Sequence, residues 1–269
     1  MIFMMDEVSG KEINITEKGE PILTYCYDES ASFSHFHPLY APNGQAVTEG
    51  MTETGQQHLP GICFTFGTVS NENGKPIELR RSTPTIDREN SKAAAEESAK
   101  FVSKTTWEAA NSVLTEICEV IVYPLQNDVR ILDLIVILHA TSIPIKLEGK
   151  IGLSYQAVEM EHRKAANANG KIGESEVNEQ ESEWATLCGI NGDTAIGVAI
   201  LPHPANGQTL FLAEDTYKGF LFANTAPFML NVNENRELNY RVLIYLGDLF
   251  TFDVWNYYQS FLASDDVNL

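Results

Sequence analysis

The chain has 269 residues, 43% of them hydrophobic, with 37 acidic against 18 basic residues and a formal charge of −19. That length buries a sizeable core and excludes a mini-protein. The acidic excess repels phosphate backbones and anionic lipid surfaces, so no nucleic-acid partner and no membrane is expected.

At the N-terminus, Met1-Ile2-Phe3-Met4-Met5-Asp6 is too short for the apolar core of a secretory signal and has no basic start. A cytoplasmic location is expected, or a periplasmic one if a leader has been removed. From Lys11 to Arg80 short apolar runs alternate with turn signals, among them Pro42-Asn43-Gly44 and Asn73-Gly74, which predicts strands. Arg88 to Lys100, with Ala93-Ala94-Ala95-Glu96-Glu97, has helix propensity without an apolar stripe and reads as an exposed helix or an insertion. Two β-branched runs follow, Glu119 to Pro124 and Arg130 to Leu138, separated by Gln126-Asn127-Asp128 as a hairpin would be. The second is apolar on both faces and should be central. Its longest apolar stretch, Leu134 to Leu138, is strand-sized and far below the ~18 residues of a membrane helix.

Ile151 to Met160 is a further strand, and Glu161 to Ser182 a polar excursion over the surface. Five strand-length runs then lie between Gly, Asn and Pro clusters: Ala195 to Leu201, Leu210 to Ala213, Gly219 to Ala223, Pro227 to Val232 and Leu238 to Leu246. Only the end changes period, where Phe252, Trp255, Tyr258, Gln259 and Phe261-Leu262 predict a short C-terminal helix after Asp248. Without repeats or linkers, residues 1–269 read as a single mainly β domain, a large β-sandwich or supersandwich. Cys26, Cys63, Cys118 and Cys188 lie far apart and read as buried thiols rather than a zinc or disulfide framework.

Chemistry is sparse. In Ser34-His35-Phe36-His37-Pro38 an extended backbone puts both imidazoles on one sheet face, where they can bind a metal, form an acid/base pair or make ordinary hydrogen bonds. His58 and His203 sit in loop-like contexts, and any metal site would need such ligands to converge; the metal and the cofactor stay unknown. Asp133 stands out inside an apolar strand, where a buried carboxylate needs a partner: Arg130 or a backbone amide if structural, a histidine if catalytic. Trp184 and Tyr217 are among the aromatics that flank the turn-rich segments, and sugars stack on such rings while polar groups such as Asn206 hold their hydroxyls, although core packing accounts for most of these rings. No Gly-rich phosphate loop, Gly-x-Ser-x-Gly elbow or dinucleotide fingerprint occurs.

Taken in order, Phe36-His37-Pro38-Leu39-Tyr40-Ala41-Pro42-Asn43-Gly44, Val47-Thr48, His58 with Gly61, Phe64-Thr65-Phe66-Gly67, Leu132-Asp133-Leu134, Ile151-Gly152-Leu153, Trp184 with Cys188-Gly189, Gly197 to Asn206, and Tyr240-Arg241-Val242-Leu243 with Gly247-Asp248 resemble the PmoA-like ("methane oxygenase PmoA") family of soluble bacterial proteins of unknown function. The resemblance implies a supersandwich similar to the galactose mutarotase fold and, by fold analogy, a carbohydrate ligand. The oxygenase label belongs to a membrane copper enzyme, and this sequence has neither apolar spans nor an evident copper site. Where the family pattern carries arginines and further histidines, this chain reads Phe33-Ser34-His35, Gln56-Gln57-His58-Leu59-Pro60-Gly61, Gln156 and Leu210 to Asp215, keeping His37, His58 and His203. Glutamine and leucine cannot replace a bidentate cation.

The sequence therefore predicts a sugar cleft on a sheet face. As an enzyme, an epimerase, lyase or hydrolase, it would use His37 or His203 as acid/base with Asp133 or Glu49 as second group, and His35, His58, Asn206, Trp184 and Tyr217 around the ligand. The alternatives are a binding protein without turnover and an interaction protein or homo-oligomer. Both site readings need His37, His58 and His203 to converge.

Overall fold

Alternation builds the sheets. In Glu12–Glu17 the odd positions Ile13, Ile15 and Glu17 are buried, and in Val129–Ala140 the even positions Leu132, Leu134, Val136 and Leu138 are, as a period-2 strand requires when one face meets a core. The computed structural model describes residues 2–29, 31–50, 59–93, 98–109, 112–214 and 219–265.

Within these residues two ten-stranded antiparallel sheets form a sandwich. The first runs in the order Phe3–Val8, Glu12–Glu17, Glu20–Cys26, His35–Leu39, Ile62–Asn71, Ile145–Gln156, Phe220–Thr225, Thr209–Glu214 and Gln180–Glu181, and Phe228–Leu230 also pairs with Ile145–Gln156. The second runs Glu161–Asn167, Ala185–Asn191, Thr194–Pro202, Asn235–Leu246, Val129–Ala140, Ser112–Val122 and Ala99–Ala109, on whose far edge Arg80–Arg81, Thr85–Ile86 and Lys92–Ala93 pair in turn. Between the sheets lies one continuous apolar cluster, with Tyr25, Phe36, Phe64, Phe66, Phe101, Trp107 and Tyr240 among its rings. None of the helices among these residues is long and apolar enough to cross a membrane.

The predicted hairpin forms at Gln126-Asn127-Asp128. Asn127 and Asp128 take φ of 50° and 60°, and Gln126 and Val129 exchange both backbone hydrogen bonds, so two left-handed residues turn Ser112–Val122 into Val129–Ala140. The expectation for Arg88 to Lys100 is corrected in its described part. Lys92 and Ala93 pair with Lys100 and Ala99, and Ala99 is fully buried, so sheet pairing and burial override the helix propensity there; residues 94–97 lie outside the described ones. Glu161 to Ser182 is only partly a surface excursion, because Glu161–Asn167 is a paired edge strand that buries Ala165. The four cysteines are free, and three of them are buried.

Asp253 caps the C-terminal helix Val254–Asp265 by accepting the Asn256 N–H. Val254, Tyr258 and Phe261, spaced four and three apart, are buried against Val129, Ala199, Leu201, Leu243 and Tyr245 on the outer face of the second sheet. Gly197 makes room there: a Cβ at that position would sit 2.1 Å from the Tyr245 ring, which stacks on Phe252 with centroids 3.7 Å apart. The apolar face is thus set by Val254 rather than Trp255, which stays 40% exposed.

A candidate ligand cleft beneath the C-terminal helix

Strand Thr194–Pro202 stops at a proline-flanked corner. His203 then caps the 3₁₀ turn Pro204–Asn206, its Nδ1 accepting the Ala205 N–H at 3.2 Å. That bond leaves the neutral ring with its proton on Nε2. One flank of the ring meets Phe261 of the helix edge-on at 5.5 Å. Asn206 fastens the same corner: its Oδ1 accepts the Asn239 N–H at 2.8 Å and its Nδ2 donates to the Asn239 carbonyl at 2.8 Å, which occupies the amide that was expected to hold a ligand.

A cavity of about 840 Å³ opens beside this corner. Its walls are built by different elements: His203 from the end of a second-sheet strand, Glu181 from the edge of the first sheet, Glu183 just after it, Gln208 and Thr209 at the start of Thr209–Glu214, and Trp255 and Tyr258 from the helix. Gln208 donates to Glu181 Oε2 at 2.8 Å and orients that carboxylate. Thr209 is only 5% exposed, lines the cavity, and its hydroxyl has no hydrogen-bond partner among the described residues. Trp184 stands behind the wall, edge-on to Trp255 at 6.1 Å, with its buried Nε1 likewise unpartnered among the described residues. The cavity sits at the margin of the sandwich under the helix rather than on a sheet face as expected.

His35 and His37 lie elsewhere. Both belong to strand His35–Leu39 in the first sheet, and neither lines the cavity. His35 is buried and donates from Nδ1 to the Phe33 carbonyl at 3.3 Å; desolvation holds its pKa below the usual histidine range, with that bond opposing. His37 is half-buried, with Nδ1 3.2 Å from Thr48 Oγ1 and Gly50 packed so tightly on its ring that a Cβ would come within 2.7 Å of Nε2. Burial lowers its pKa too, while Thr48 and the charge of Glu49 pull the other way. Both rings are therefore biased toward the neutral form.

Asp133 belongs to neither histidine. Arg241, directly opposite on the neighbouring strand, grips it with Nε on Oδ1 at 2.7 Å and Nη2 on Oδ2 at 2.8 Å, and Tyr123 donates its hydroxyl to Oδ2 at 2.9 Å. The partner expected for it, Arg130, points the other way, because residues three apart on a strand face opposite sides. Arg130 crosses the interior to Glu17 of the first sheet instead. The catalytic set His37, His203 and Asp133 is thus not assembled in one place. His58 and Tyr217 lie outside the described residues.

The cavity-lining residues that sequence reasoning missed are Glu181, Glu183, Gln208 and Thr209, and Trp255 and Tyr258 as part of the same wall. The aromatic repeat at 252–262 was the available signal, since one aromatic too many for a single buried stripe leaves a ring at the surface. Among the described residues no group of three or more His, Cys, Asp or Glu is arranged to hold a metal ion.

Comparison with known proteins adds two kinds of likeness. No curated protein matches this chain. Among solved structures it is similar to the galactosidase domain of an alpha-galactosidase–sucrose kinase, with 9% identity, a TM-score of 0.34, and coverage of 90% of this chain and 40% of that one. It is also similar to a polysaccharide lyase, with 9% identity, a TM-score of 0.36, and coverage of 91% and 32%. This chain therefore spans well under half the length of either. A family profile matches residues 12–258, nearly the whole of both sheets and the first part of the C-terminal helix, and the chain belongs to that family, the family of unknown function DUF6807.

Proposed function

We propose that this protein binds a carbohydrate in the cleft beneath its C-terminal helix. One observation carries the reading: a cavity of about 840 Å³ lined by Trp255 and Tyr258 together with Glu181, Glu183 and Gln208. Its volume lies in the range of small-molecule sites. Sugars present C–H faces that pack on aromatic rings and rims of hydroxyls that need acceptors and donors.

Binding without turnover is the favoured form. Asp133 is committed to Arg241, His37 and His35 are in the other sheet, and His203 holds a backbone turn through Nδ1. No arginine or lysine lines the cleft among the described residues, which favours an uncharged or cationic ligand over an anion.

The test is a tryptophan-fluorescence titration with a panel of mono- and oligosaccharides, run beside thermal unfolding on wild type and Trp255→Ala. A true ligand at about 100-fold its Kd stabilises by about 2.7 kcal/mol. Trp255→Ala should weaken binding at least tenfold, about the contribution of one stacked ring. If no saccharide shifts either signal, or if Trp255→Ala binds like wild type, the cleft reading is wrong. Turnover that disappears in Glu183→Gln would replace binding with catalysis at the same cleft.

A further inference from the structure

Trp107 and Arg81 lie directly opposite each other where Ala99–Ala109 pairs with Arg80–Arg81, so both share the inner face of the second sheet. Glu116 belongs to the same face one strand further in, where it is 8% exposed and accepts the Trp107 Nε1–H at 3.0 Å. The segment that leads into strand His35–Leu39 is fastened to the same two side chains. Arg81 Nη1 donates to the carbonyls of Asp28 at 2.9 Å and Ala31 at 2.8 Å, and its Nη2 donates to Ser34 Oγ at 2.7 Å. Phe33 packs on Trp107, with ring centroids 5.4 Å apart, and on Phe66 at 5.9 Å. What holds residues 31–34 in place therefore also surrounds Glu116.

The titratable groups around Glu116 come from four strands: Arg81, Tyr25 of Glu20–Cys26, Cys63 of Ile62–Asn71 and Cys118 of its own strand. Burial holds the tyrosine and both thiols neutral, which leaves Arg81 as the cation of this group; Asp28 and His35 act on Arg81 from the far side. Arg81 also keeps a donor in reserve, because its buried Nε has no hydrogen-bond partner among the described residues.

We propose that residues 31–34 form a flap that Arg81 latches while Glu116 is protonated and releases when Glu116 loses its proton. The proton leaves to solvent, and a buried carboxylate with one N–H donor then draws the guanidinium toward itself. The bonds to Asp28, Ala31 and Ser34 are given up in exchange. That exchange recovers only part of the cost of the buried charge, since the packing of Phe33 is lost with the bonds. Desolvation raises the Glu116 pKa to about 7, so the latched state is fully held below about pH 4.5 and is lost as pH rises through about 7.

The experiment follows chymotryptic cleavage after Phe33 by mass spectrometry, at about pH 6 and about pH 8.5, normalised to a free peptide of the same sequence. In wild type the cleavage should rise about tenfold between the two, while cuts in the central strand Val129–Ala140, which report global unfolding, stay absent. Glu116→Gln keeps the shape of the side chain and an acceptor for Trp107, and its rate should change less than about twofold. Arg81→Met should be cut readily at both pH values. As a check that needs neither variant, the indole N–H resonance of Trp107 in wild type should titrate with the same midpoint as the cleavage. No rise in wild type, a rise that persists in Glu116→Gln, cuts after Phe33 that appear only together with central-strand cuts, or two different midpoints would each overturn the proposal.

Discussion

Two carboxyls are buried on opposite faces of the second sheet, and they live very differently. Asp133 looks outward, under the C-terminal helix, where Arg241 makes two short hydrogen bonds to it and Tyr123 a third. Glu116 looks inward among Trp107 and its neighbouring rings, and the Trp107 N–H, at 3.0 Å, is the hydrogen bond it receives. A cation near it, Arg81, gives its Nη groups to the carbonyls of Asp28 and Ala31 and to Ser34 Oγ. Desolvation therefore pushes the Glu116 pKa up to about 7, with Trp107 and Arg81 opposing. The lesson is that burial by itself does not decide the charge of a carboxyl; a fork of donors placed directly across the strand pair does.

The comparison breaks most visibly if Asp133 is made to resemble Glu116. Arg241→Met leaves the carboxylate buried and unpaired and should cost about 3–5 kcal/mol in denaturant unfolding. Adding Asp133→Leu should recover much of that loss. Because Arg241 also donates to Ser260 at 3.3 Å and lies 4.7 Å over Phe261, the single variant should loosen the helix and weaken saccharide binding in the cleft. A single variant as stable as wild type would show that the pair does not hold the helix.

The next effect concerns Glu116 itself. Its folded pKa lies above its unfolded value, so the folded state binds more protons between the two. The stability this contributes is fully present below about pH 4.5 and is lost as pH rises through about 7. Glu116→Gln should remove that loss and stabilise the protein by about 3 kcal/mol at alkaline pH, with little change in acid. Equal pH dependence in the variant and wild type would mean that Glu116 keeps a partner for its charge.

His35 and His37 oppose this trend. Their folded pKa values are depressed, so their contribution is present above the unfolded value near 6.5 and falls away as pH drops through the folded ones. His37→Gln should flatten the acid limb of the unfolding profile while leaving the alkaline limb to Glu116. The smallest effect is at the cleft corner: His203→Ala loses a cap worth about 1 kcal/mol, whereas His203→Asn, which can still accept the Ala205 N–H, should keep most of it. A fall in saccharide affinity in His203→Asn at unchanged stability would separate a ligand-facing ring from its capping role.

Much of the fold was legible because its rules are local. The Asn127-Asp128 turn follows from residues that tolerate left-handed φ, and the register of its two strands follows from their alternation. Asp133 was conspicuous for the same reason, a charge in a run of Leu and Ile. Glu116 was not, because Thr115-Glu116-Ile117-Cys118-Glu119 offers two glutamates and only the pairing of the strand settles which of them faces inward. Arg88 to Lys100 misled because propensity speaks for an isolated segment, whereas Ala99 is buried beside Val122.

By itself the sequence determined a large acidic β-sandwich ending in a helix, with its cysteines free and its chain without a run long enough for a membrane helix, since composition and hydrophobic period are carried by neighbouring residues. Only the tertiary structure decided that His37 and His203 stand apart, that Asp133 answers to Arg241, and that Glu181, Glu183, Thr209 and Trp255 meet around one cavity. Those residues come from different strands and a helix up to 74 positions apart, 255 − 181, and their meeting depends on how two sheets and a helix pack, which no local pattern encodes.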